Sequence, residues 1–186
     1  MPGFTRSLGE KMGNRVFYSG AILSAFLTGH IALANNLQID VALSPAGSFK
    51  AETKKISGSA HKTADGIEAE NVVIDMKSLT TGIALRDKHT KEHLLVDKYP
   101  QAKLLKATGK NGKGTATIEV RGKTTEVSGT YTIEGNTLKA EFPMKLTDLD
   151  IQGVRYMAVG VKDQVKIHIE LPLTDAKRGT ASVKKK

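Results

Sequence analysis

The chain contains no cysteine and no tryptophan, and its 186 residues include only five phenylalanines and four tyrosines. Without cysteine there is no disulfide, no thiolate metal cage, no thiol nucleophile and no acceptor for a lipid-modified cysteine. Stability must therefore come from packing. The formal net charge of +9 invites a nucleic-acid reading. Against it stand the scarcity of aromatics on which bases could stack and the lack of a nucleic-acid motif. Catalytic signatures are missing too. There is no Gly-x-Ser-x-Gly elbow, and Gly109-Lys110-Asn111-Gly112-Lys113-Gly114-Thr115 lacks the Gly-Lys-Ser/Thr ending of a phosphate loop and joins two strand patterns. No catalytic residue, metal ligand or cofactor is assigned on these grounds.

Long apolar runs are also absent, except over residues 16–33. Arg6, Lys11 and Arg15 precede that run, and Ala32 and Ala34 supply the small residues a signal peptidase reads. The pattern predicts a secretory signal over 1–34, cleaved after Ala34, and hence a periplasmic or secreted protein; Met12 is an alternative start. An uncleaved anchor competes, because about 20 apolar residues span a bilayer, but Gly20, Gly29 and His30 dilute the run. Losing residues 1–34 removes three cations and one anion and lowers the net charge from +9 to +7. At the far end, residues 176–186 are rich in lysine and poor in apolar groups, which predicts a disordered basic tail. Loose attraction to an anionic membrane surface follows, at about 1 kcal/mol per lysine at best. One domain, 35–175, remains.

Within it the dominant signal has a period of two. Ala116, Ile118 and Val120 alternate with polar residues, as do Val127, Gly129, Tyr131 and Ile133. The same holds for Leu138, Ala140, Phe142, Met144 and Leu146, and for Val165, Ile167, Ile169 and Leu171. Upstream, Val41 with Leu43, Phe49 with Ala51, and Val72 with Ile74 and Met76 mark three more strands. Asn111-Gly112, Gly122-Lys123, Gly135-Asn136 and Lys162-Asp163 read as hairpin turns. Pro143 belongs on the outer face, at an edge or bulge. The pattern predicts a mainly β chain, an antiparallel up-and-down β-barrel of about eight strands, because closure removes exposed edges. Such a barrel has room for packed side chains or one small ligand. Candidate lumen residues are Val72, Ile74, Ala116, Ile118, Val120, Tyr131, Ile133, Leu138, Ala140, Phe142, Met144, Val165, Ile167 and Ile169. Composition alone favours their packing on one another.

One insertion breaks the alternation. Between Met76 and Leu104 the spacing of Leu85, Leu94 and Leu95 predicts a short helix stopped by Pro100. Asp87 and Lys91, four apart, can pair on its surface. His89 and His93 have the one-turn spacing of metal ligands but lack a third ligand and the glutamate of a His-Glu-x-x-His site. Asp148 and Asp150 would share a strand face as an acid pair, though turn-adjacent aspartates are commonly solvated.

Thr81-Gly82-x-x-x-Arg86-Asp87-x-His89 running into Asp97-Lys98-Tyr99-Pro100 resembles the YceI-like family of secreted, lipocalin-like proteins. Val120-Arg121-Gly122-Lys123-Thr124-Thr125-Glu126-Val127 is similar to that family's Arg-Gly hairpin, and Val159-Gly160-Val161-Lys162-Asp163-Gln164-Val165-Lys166-Ile167 to its closing strand pair, in the family's order. The resemblance implies a lipocalin-like barrel with an elongated pocket for a polyisoprenoid or quinone-type lipid, and binding as the whole activity. It maps the family motif onto Arg86, Asp87, His89, Tyr99 and Pro100, which would hold the insertion against the barrel and shape the pocket mouth. The competing reading is a metal-dependent or hydrolytic factor around His89 and His93. An apolar isoprenoid lipid is the expected partner, no nucleic acid is, and a homodimer stays open.

Overall fold

The computed structural model describes residues 35–156 and 158–175; the expected signal over 1–34 and tail over 176–186 lie outside them. Among the described residues eleven strands and one α-helix follow one another: β1 (Asn36–Ser44), β2 (Ser48–Thr53), β3 (Ile56–Ser57), β4 (Ala60–Lys62), β5 (Ile67–Asp75), α1 (Ala84–His93), β6 (Gln101–Lys110), β7 (Lys113–Val120), β8 (Lys123–Glu134), β9 (Thr137–Lys145), β10 (Arg155–Tyr156) and β11 (Val159–Thr174). Short 3-10 turns occupy Met76–Ser78 and Leu146–Leu149.

Pairing closes the sheet. From β4 the wall runs through β5, β6, β7, β8 and β9 to β11, which returns to β4. β1 extends from β11 and β2 from β1, while β3 pairs with β5. The barrel is thus mainly antiparallel, with one helical insertion. Its parallel contact is β11 with β4, where Leu173 faces Ala60. Alternation sets the facing: Val165, Ile167, Ile169 and Leu171 are buried, while His168 points outward to Asp40 at 3.0 Å and Glu141 at 3.3 Å. Pro143 is exposed two residues past the last β8 partner of β9, a local edge where a missing donor breaks no ladder on that side.

Three turns follow expectation in kind, with one shift of register. Asn111 and Gly112 both take positive φ, 52° and 78°, between β6 and β7. In the next hairpin the pair is Arg121-Gly122, at 53° and 71°, and not Gly122-Lys123, because Val120 pairs with Lys123. Lys162-Asp163 is no turn at all. Between Val41↔Val165 and Leu43↔Val161 β11 advances further than β1, so the pair sits in a bulge of one continuous strand. Asp163 accepts there from the Thr147 amide at 2.9 Å and from Thr147 Oγ1 at 3.0 Å, and β1 runs alongside on both sides of the bulge. Nor do Asp148 and Asp150 share a strand face: Asp148 lies in the second 3-10 turn and Asp150 caps it in the left-handed region at φ 56°.

Helix α1 ends before Pro100. Val96 N–H donates to the Lys91 carbonyl at 3.0 Å and Leu95 N–H to the Glu92 carbonyl at 3.0 Å, the two bonds of a Schellman motif. Leu95 occupies its left-handed position at φ 51°, where glycine is usual. A β-carbon there costs about 1–2 kcal/mol, and the half-exposed leucine side chain returns little burial. Replacing Leu95 with glycine should accordingly stabilise the protein by about 1 kcal/mol. Chemical denaturation would show this as a higher midpoint at unchanged slope, and a lower midpoint would contradict it.

Candidate ligand cavity

A cavity of about 500 Å³ opens inside the barrel. Its walls come from alternate positions of neighbouring strands: Leu37, Ile39, Val41 and Leu43 of β1, Phe49 and Ala51 of β2, Ile118 and Val120 of β7, Phe142 and Met144 of β9, and Val161, Val165, Ile167 and Ile169 of β11. Nearly all are aliphatic. Polar side chains enter at the mouth, from Arg86, His89, Thr90 and His93 of α1 and from Arg155 of β10. A second, smaller cavity of about 70 Å³ lies deeper, against Ala116, Tyr131, Leu138 and Ala140.

Of the candidate lumen residues, Ile74, Ile118, Val120, Met144, Val165 and Ile167 line the main cavity. Ala116, Tyr131, Leu138 and Ala140 line the small one, and Phe142 and Ile169 line both. Two differ. Val72 is fully buried under Gly58 and lines neither cavity. Ile133 has the inward parity but is 44% exposed, because β8 overhangs the wall there: β7 pairs only as far as Thr130, and β9 alone accompanies the end. Missing from the candidates were Leu37 and Ile39, although the alternation of 37, 39, 41 and 43 is legible. Also missing were the loop residues Leu149, Ile151 and Val154, which show no period.

Helix α1 lies over the mouth and buries none of its residues. Ile83 and Leu85 line the cavity while remaining 53% and 52% exposed, since they face open space. What fixes the helix is polar. The Asp87 carboxylate turns back to accept from Thr80 Oγ1 at 2.8 Å and from both the amide and the hydroxyl of Thr81 at 2.5 Å. Arg86 donates to the Thr81 carbonyl at 2.8 Å and lies 4.5 Å from the ring centre of Phe49 in β2, a cation–π contact. Thr80 in turn pairs with Glu52 of β2 through two backbone hydrogen bonds. The anticipated Asp87–Lys91 pair is replaced by these bonds, with Lys91 adding a weaker attraction. His89 Nδ1 sits 3.2 Å from Glu92. Among the described residues no group of three or more histidines, aspartates or glutamates gathers where a metal ion could sit.

The remaining motif residues close the same end. Tyr99 packs so tightly over the β7–β8 turn that a β-carbon at Gly122 would lie 2.8 Å from its ring, so only glycine fits there. The Pro100 carbonyl accepts from the Met76 amide at 2.9 Å. Beside that turn Arg121 donates to the Leu149 carbonyl, and Lys123 meets Asp150 at 2.7 Å. Segments far apart in sequence are thus tied together around the mouth.

A closed, mainly antiparallel barrel with an open apolar interior and a helix strapped over its mouth defines a small-ligand-binding class of architecture. The chain belongs to the YceI-like family: the YceI-like domain model matches residues 34–173. No curated protein is matched. Among solved structures it resembles BcnA of Burkholderia cenocepacia, at 18% identity and a TM-score of 0.57, over 74% of this chain and 96% of that one. A polyisoprenoid binding domain from Saccharophagus degradans, implicated in plant cell wall breakdown, is similar at 17% identity and a TM-score of 0.50, over 74% and 92%. A mutant CJ YCEI protein holding a monobromobimane guest is similar at 15% identity and a TM-score of 0.54, over 70% and 87%.

The Asp87 bonds carry a pH signature. The Thr81 hydroxyl bond, foremost, with the Thr81 amide and Thr80 hydroxyl, holds the Asp87 carboxyl below its ordinary value of 3.8. A folded pKa below the unfolded one stabilises the fold above the unfolded value, and the gain is lost as pH falls through the folded one. Asp87→Ala should therefore melt earlier at pH 7, by the roughly 1 kcal/mol typical of a lost side-chain hydrogen bond. The gap to the parent should close as the pH drops below about 4. Melting curves of both proteins across that range check it, and a gap unchanged down to pH 2 would contradict the assignment.

Proposed function

We propose that the protein is a carrier that holds one isoprenoid chain, of the polyisoprenoid or isoprenoid-quinone kind, in its barrel. The observation that carries this reading is the open cavity of about 500 Å³ with mostly aliphatic walls, where Arg86, His89, Thr90, His93 and Arg155 at the mouth and Lys103 of β6 are the few polar lining residues. An apolar chain entering it leaves water, and each buried methylene contributes about 0.8 kcal/mol. The polar end of the ligand stays at the mouth, within reach of Arg86, His89, Thr90, His93 and Arg155. Likeness to a domain described as polyisoprenoid binding supports the same ligand class. Binding is the activity, and no bond is made or broken. The leader pattern over 1–34 supports export to the periplasm or beyond, where the basic tail draws the carrier loosely to anionic headgroups.

Organic extraction of protein purified from its native host, followed by mass spectrometry, tests the carrier reading. A stoichiometric prenyl lipid is expected, whereas bound metal without lipid would favour a metal-dependent factor at His89 and His93. Ile167→Asp puts an unpaired charge against the cavity and should abolish lipid retention or folding, because a buried unpaired charge is strongly disfavoured. Lys139→Gln on the outer wall should leave retention intact, and equal loss in both variants would overturn the binding site. N-terminal sequencing of exported protein should begin at Asn35; recovery of an intact leader would reject the export reading.

A further inference from the structure

The two cavities are stacked along the barrel, and three side chains make the partition between them. Leu104, Phe142 and Ile169 line both spaces. Register shows the order of descent. On β11 the main cavity takes Val165, Ile167 and Ile169, and the small one Ile169 and Leu171. On β9 the main cavity takes Met144 and Phe142, and the small one Phe142, Ala140 and Leu138. Since Phe142 pairs with Ile167 and Ala140 with Ile169, the two strands cross the partition at adjacent inward-facing pairs. The lower space exists because many residues there are small: Ala116 faces Ala107 across the β6–β7 pair, and Ala69, Gly129 and Ala140 line it too.

We infer that Phe142, with Leu104 and Ile169, forms a floor that sets the longest apolar chain the main cavity accepts. This rests on the carrier reading and adds to it the residues that select chain length. A space of about 70 Å³ has room for the end of a chain and for no more than one isoprenoid unit, at about 30 Å³ per water-sized group. Phe142 stands between this space and the ligand, so a chain that ends at the floor fits, and one unit more has to stay at the mouth in contact with water. Opening the floor admits that unit to apolar walls, and each newly buried methylene multiplies affinity about fourfold.

The test uses delipidated full-length protein and an equimolar mixture of all-trans prenyl alcohols that differ by one isoprene unit, with retained alcohols quantified by mass spectrometry. The parent protein should show a sharp upper length. Phe142→Leu should move that limit up by one unit, raising retention of the next longer alcohol at least tenfold relative to the longest the parent keeps. Adding Ala116→Leu to the same protein refills the lower space and should restore the original limit. Ile169→Val opens the same floor by a smaller truncation and replaces the first variant if that one does not fold. If the parent retains no alcohol of any length, the carrier reading fails and the floor with it. If the parent retains alcohols without an upper limit, or the limit is unmoved in the opened variants, the floor is overturned while the carrier reading stands.

Discussion

The hydrogen-bonded ladder of β11 is the element on which everything else rests. This sixteen-residue strand pairs with β1, β4, β9 and β10, and through β9 and β4 it returns the sheet to itself. Without that closure the inward faces of β7, β8 and β9 would meet water, and their apolar residues would have to collapse against one another. With closure, backbone groups are satisfied in the wall, and side chains fill the interior only as far as their length allows. The bulge at 162–164 belongs to the same logic. It bends β11 without breaking it, and Asp163 there anchors Thr147 of the loop beside the mouth.

The mouth is built on a different principle from the wall. Wall strands are held by continuous ladders and buried aliphatics, whereas α1 buries no residue and is fastened through Asp87, Arg86 and the ring of Phe49. A segment with few buried apolar contacts opens at far lower free energy than the core. Opening at this end would therefore leave the barrel ladders untouched. The same geometry gives the family motif a physical meaning. Its polar members are a strap, its tyrosine is a plug over a glycine turn, and its proline carbonyl is a backbone anchor.

An apolar site of this kind draws affinity from area removed from water, a term that does not distinguish one saturated chain from another. Discrimination must come from shape. Here Leu104, Phe142 and Ile169 stand between the two spaces and alanines line the lower one, so the interior is shaped by side-chain size.

Alternation of apolar and polar residues is a local property, so the facing of β7, β8, β9 and β11 was legible in the chain by itself. So were the two-residue turn at Asn111-Gly112 and the helical insertion. Sequence by itself determined a closed β architecture with an apolar inner face, because a period of two with short turns has few other stable outcomes. Tertiary structure alone decided which inner residues meet open space and which meet each other. Val72 and Ile74 have the same local signature, yet Gly58 packs on the first and the cavity opens on the second. Ile133 keeps the right parity and loses its cover because β7 ends short of it. Asp87 reaches back to Thr80 and Thr81, and not forward to Lys91, because Thr80 is pinned to β2 by backbone bonds to Glu52. In each case the deciding neighbour is distant along the chain, and spacing carries no information about how two such segments meet.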